Sequence, residues 1–149
     1  MSLNAWRDSR LIVEHETSQQ EISDLLGIVT TDLNDARIPA LSPDRRLACC
    51  YNAILTAARA ALRAAGYRVP KGTANHHYYA IQSLRFTVLV DAVTVQQIES
   101  MGKKRVMADY IRVGEVSQSM VEETLAFAET CCHQFADWIR ETHPEFSQA

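Results

Sequence analysis

No stretch of this sequence is apolar for long enough to cross a bilayer, because Arg, Gln or Asp breaks each of the longest hydrophobic runs. Met1–Arg10 lacks the apolar core of a secretory signal, so the expected location is cytoplasmic. Glycine is sparse, with 5 in 149 residues, and Gly66, Gly72 and Gly102 stand alone. A Gly-rich phosphate cradle leading into a helix is therefore missing. The 4 cysteines come as the adjacent pairs Cys49-Cys50 and Cys131-Cys132, without the spacers of zinc motifs. Neighbours on a helix point apart, which suits neither chelation nor a disulfide, so all four are expected to be small core residues in a reducing compartment. Strand signal is nearly absent, since Val88-Leu89-Val90 is short and continues a helical pattern. Neither a Ser/His/Asp order nor the paired Glu-x-x-His motifs of di-iron bundles occur, and Glu129 and His133 are spaced four apart rather than three. The expectation is that no cofactor and no metal is bound.

What remains is helical periodicity in a chain that is 47% hydrophobic and 22% charged. A chain of 149 residues is expected to form a single domain, with N-terminal helices in 1–41 and a bundle core in 42–143. The clearest helix runs from Ser42, a capping residue followed by Pro43, to Ala65, with Gly66 just past its end. Arg45, Asn52, Thr56, Arg59 and Arg63 trace its polar stripe, and the rest is aliphatic and rich in alanine. A helix apolar over so much of its surface needs neighbours on more than one side. A second long helix, Ser117 to Glu141, carries the seam Val121, Leu125, Ala128, Cys132, Phe135 and Ile139. Ser18 to about Ala36, Asn75 to Val90 and Ala92 to Met101 read as further helices, the last broken by Gly102. Asn4 to His15 reads as a short leading helix. The expected fold is all-α, an up-and-down helical bundle of four to five core helices.

The net charge of −3 is unevenly spread: Met1–Leu41 carries −4, Ser42–Gly72 +5, Lys103–Arg112 +3 and Val113–Ala149 −6. Two basic segments thus lie between acidic ends. If they meet in space they form a positive face suited to RNA, nucleotides or an acidic protein; otherwise they neutralise the terminal helices.

The run Ala48-Cys49-Cys50-Tyr51-Asn52-Ala53-Ile54-Leu55-Thr56-Ala57-Ala58, then Leu62 and Gly66-Tyr67-Arg68-Val69, is similar to the first half of HEPN domains. Asn75-His76-His77 stands where those domains open their next helix with histidine. Lys104-Arg105-Val106-Met107-Ala108-Asp109-Tyr110 resembles their later arginine-bearing turn with its aromatic residue. The resemblance covers about Ser42 to His143. Ribonucleases of that family follow their arginine, after four to six intervening residues, with a histidine suited to proton transfer near neutrality. Here the window holds Tyr110, Ile111 and Arg112, so the resemblance does not bring nuclease activity with it. It implies a non-catalytic helical module, dimeric, with a nucleotidyltransferase or RNA as partner.

Several residues could carry a function. Lys103, Lys104, Arg105, Asp109 and Tyr110 could hold a phosphate or a carboxylate, or Arg105 could simply pair with Asp109 one turn away. Arg59 and Arg63 could grip phosphates beside Lys103 and Lys104, or pair with Glu122, Glu123 or Glu129 of the last helix. His76 or His77 could reach Arg105 and restore an Arg/His catalytic pair. The alternative is that Asn75 caps the helix, one histidine bonds to the preceding loop and the other faces water. A further option is a ligand pocket under Tyr51, Tyr79 and Tyr110.

Overall fold

The computed structural model describes residues 2–110 and 117–147, and of residues 104–110 it describes the backbone alone. Its elements in order are α1 (Leu3–Asp8), β1 (Val13–Glu14), α2 (Gln19–Ala36), α3 (Pro43–Ala64), β2 (Tyr67–Arg68), α4 (His76–Gln82), a 3-10 turn (Ser83–Arg85), α5 (Ala92–Tyr110), α6 (Gln118–Thr142) and a final 3-10 turn (Pro144–Phe146). The protein is an all-α bundle, as the periodicity predicts.

The long helices start where capping chemistry places them. The Ser18, Ser42 and Ser117 hydroxyls accept from the backbone N–H groups of Glu21, Arg45 and Met120, each satisfying a donor that has no partner inside its helix. Asp91 does the same for α5 through Thr94, at 2.7 Å. Gly66 takes a φ of 98° immediately beyond α3, a backbone conformation that side chains with a Cβ seldom adopt.

Helix α3 is the centre, packing on α2, α6, α5 and α4. Its alanines 53, 57, 58, 60 and 61 are fully buried, and their small size lets neighbours approach on several sides. Glu21 pairs with Arg63 at one end of the α2–α3 contact, and the Ala36 carbonyl accepts from Arg46 at the other, so α2 and α3 run antiparallel. Arg46 also reaches Gln118 and Glu122 near the start of α6, while Ile139 near its end packs with Ala60, Ala61 and Ala64, so α3 and α6 run parallel.

Four expectations need correction. The leading segment is a helix only to Asp8; Trp6 is buried beside Ile12 and Leu62, and Val13–Glu14 then pairs antiparallel with Tyr67–Arg68. The helix expected from Asn75 to Val90 ends at Gln82, where the Ser83 hydroxyl turns back to the Ala80 carbonyl and a 3-10 turn follows. Asn75 sits at the head of α4 in a left-handed conformation, φ 60°, and its side chain caps nothing. Gly102 does not break α5, which continues to Tyr110. Its role is steric: a Cβ there would lie 3.0 Å from Cε1 and Cζ of Tyr51, so glycine lets α5 press against that ring.

Candidate functional site: a basic cavity at the end of α3

The polar stripe of α3 ends in Arg59 and Arg63, one turn apart and both half-buried. Beyond Gly66 the chain returns as β2, held to β1 by the register Val13↔Arg68 and Glu14↔Tyr67 and by a bond from the His15 N–H to the Gly66 carbonyl at 2.8 Å. This return lays Arg68, Val69, Pro70 and Lys71 against the end of α3. Positive φ angles at Gly72 (77°) and Asn75 (60°) then turn the backbone so that His76 opens α4 on the same side. The result is a cavity of about 290 Å³ lined by Arg59, Leu62, Arg63, Arg68, Val69, Pro70, Lys71, Gly72 and His76. Among the described residues, four cations and an imidazole line it and no carboxylate does.

The cations are not equivalent. Arg63 donates to Glu21 Oε2 at 3.0 Å, while the other oxygen of Glu21 accepts from Thr17 at 2.7 Å and lies 2.7 Å from His15 Nε2. Burial alone would push the Glu21 carboxyl up. The hydrogen bonds from Thr17 and His15 and the Arg63 charge outweigh it and hold the group below the usual carboxylate value.

Among the described residues Arg59 has no such counter-ion. A guanidinium nitrogen lies 3.0 Å from His76 Nδ1. Guanidinium can only donate, so Nδ1 must be the accepting nitrogen and the His76 proton sits on Nε2. Burial, then the neighbouring Arg63 charge, pull the Arg59 guanidinium below its ordinary value, which Tyr51 partly offsets. Among the described residues, the side chains of Arg68 and Lys71 make no hydrogen bond or ion pair. Three cations at one cavity thus lack an acidic partner, an arrangement that attracts an anion.

The residues singled out in the sequence are distributed as follows. Arg59, Arg63 and His76 meet at the cavity, and neither arginine pairs with Glu122, Glu123 or Glu129. The stripe on α3 could not reveal that Glu21, on α2, would take Arg63. His77 lies edge-on to His76, with centroids 4.3 Å apart, and its ring is tilted against Tyr51 at 6.2 Å, so it does not simply face water. Tyr51 and Tyr79 belong to different apolar clusters, the latter edge-on to Trp6 at 5.6 Å. Lys103 is exposed, four residues from Glu99 on α5, and does not line the cavity. The side chains of Lys104, Arg105, Asp109 and Tyr110 lie outside the described residues, as do Ile111 and Arg112.

Sequence reasoning passed over Arg68 and Lys71 as individuals, although both sit in the +5 segment, and the Pro70-Lys71-Gly72 turn beside an arginine stripe was the available signal. It also passed over Arg46. That side chain is 3% exposed and bonds the Ala36 carbonyl, Gln118 and Glu122 at 2.7, 2.9 and 2.8 Å. It ties three helices together and is structural.

Chemistry elsewhere is quiet. Cys50, Cys131 and Cys132 are buried, and burial pushes the Cys50 and Cys131 thiols up to about 12 and that of Cys132 up as well. Among the described residues no cluster of three His, Cys, Asp or Glu side chains could hold a metal ion, and no helix is long and apolar enough to cross a membrane. No protein-family model, curated protein or solved structure matches the chain.

Proposed function

We propose that this protein is a helical binding module of the HEPN type, without a catalytic centre of its own, that pairs as a homodimer and holds the phosphates of RNA or a nucleotide. The observation that carries the reading is the convergence of Arg59, Arg63, Arg68, Lys71 and His76 on one cavity with no carboxylate among its described lining residues. Fixed cations with spare donors recognise phosphate, and Arg59 and Arg68 offer the planar fork that fits two phosphate oxygens at once. Pairing is supported by Leu89 and Val93, which are 75% and 66% exposed within one short stretch. Leu89 is also held at φ 64°, a strained backbone for a bulky side chain.

Fluorescence anisotropy with a labelled mixed RNA pool, after light scattering of the same sample, tests this function. The expected result is a particle of twice the chain's mass whose RNA affinity falls steeply with salt and drops at least about tenfold in Arg59→Ala. Affinity unchanged in the variant sinks the cavity's part in it.

A second reading is a metal-independent endoribonuclease that uses Arg105 with a histidine from another helix. One observation favours it. His77 packs on Tyr51, Tyr51 packs on Gly102, and Arg105 follows Gly102 by one helical turn on the continuous α5. Incubation with RNA in the absence of added metal separates the readings. Cleavage lost in both Arg105→Ala and His77→Ala supports the enzyme, and intact RNA supports the module.

A further inference from the structure

Resting on the reading of the cavity as a phosphate site, we infer that it takes a terminal phosphate, the monoester dianion at the end of a nucleotide or of an RNA strand, rather than an internal diester.

Charge is the first argument. Arg59, Arg68 and Lys71 have no acidic partner among the described residues, and Glu21, the nearby acid, spends one oxygen on Arg63 and the other on His15 and Thr17. An internal diester brings a single negative charge and leaves most of this excess in place. A terminal monoester brings nearly two, and a terminal di- or triphosphate brings more. The difference bears on Arg59, which is half-buried with a guanidinium nitrogen 3.0 Å from His76 Nδ1.

Shape is the second. At about 290 Å³ the cavity lies at the small end of ligand pockets, with room for a phosphate group and part of the sugar that bears it. Helix α3 walls one side through Leu62, segment 68–72 walls another, and His76 stands at the head of α4. A strand bound through an internal phosphate has to enter and leave past these walls, whereas a strand end only has to enter. Apolar contact from Leu62, Val69 and Pro70 suits the sugar face behind the phosphate.

The test uses the full chain at low salt, with AMP, adenosine, inorganic phosphate and one short RNA carrying a phosphate at its 5′ end, at its 3′ end or at neither. Calorimetry is expected to show AMP binding and no heat from adenosine. Either phosphorylated RNA is expected to bind at least about tenfold tighter than its unphosphorylated form, with inorganic phosphate competing. Arg59→Gln should erase that preference; Lys71→Gln, a change on the exposed loop, should reduce it with no change in thermal unfolding. An RNA end that binds much more tightly than AMP identifies the strand as the source, and equal affinities identify the nucleotide. Equal, Arg59-dependent affinity for phosphorylated and unphosphorylated RNA overturns the terminal-phosphate inference while leaving a phosphate site. No binding by AMP, phosphate or any RNA overturns both.

Discussion

Gly102 and Tyr51 set how closely α5 approaches α3. By helix propensity alone, Gly102→Ala should stabilise an interior helical position by about 1 kcal/mol. The contact opposes that gain, because the new methyl would meet Cε1, Cζ and the hydroxyl oxygen of Tyr51 at 3.0, 3.0 and 3.1 Å. Tyr51 is 5% exposed and packed among buried neighbours, so it cannot swing away freely. Overpacking of this kind costs roughly 1–3 kcal/mol, and the expected outcome is net destabilisation of Gly102→Ala in urea unfolding. In a Tyr51→Leu background the same substitution should become neutral or stabilising, because the ring that opposes it is gone. A stabilised single variant would mean that the two helices do not touch there.

Among the helices, those written plainly in the sequence are α2, α3 and α6, each with a serine cap and an apolar seam that ends up buried. Three features resist reading, each for a physical reason. Gly102 looks like a breaker because its neighbour in space is 51 residues away in sequence, and a glycine needed for close approach cannot be told locally from one that ends a helix. Val13–Glu14 is too short a strand for alternation to show. The cavity was half legible: the stripe marks Arg59 and Arg63, but the path that brings Arg68, Lys71 and His76 beside them depends on the ladder and on positive φ angles at Gly66, Gly72 and Asn75. Arg46 shows the same limit, since one more arginine on a basic helix gives no hint of burial. It donates to the buried C-terminal end of α2 and to α6, so Arg46→Met leaves the Ala36 carbonyl without its donor and unties both helices. The expected loss is about 3 kcal/mol with an unchanged urea m-value. A loss below about 1 kcal/mol would show that water replaces the arginine readily.

The bundle as a unit carries its charge in a way that links stability to pH. Glu21 joins His15, just past β1, with Thr17 and with Arg63 at the site's edge, and its carboxyl is held below the ordinary value by those bonds and that charge against the effect of burial. A depressed carboxyl stabilises the folded state above the unfolded pKa, about 4.3, and that contribution disappears as pH falls through the lower folded value. Wild type should therefore lose more stability than Glu21→Gln between about pH 6 and about pH 3. Parallel losses in thermal melts would remove Glu21 from the balance.

The ladder between Val13–Glu14 and Tyr67–Arg68 also imposes an order in time. Closing so long a loop directly is slow, but once α2 folds back along α3 their far ends, Glu21 and Arg63, already stand together and the two strands need only zip. Arg68 is both a rung of this ladder and a wall of the cavity. The cavity wall should thus be among the last parts of the fold to form and among the first to fray. An occupied cavity should slow hydrogen exchange at the His15 amide before any amide of the core responds.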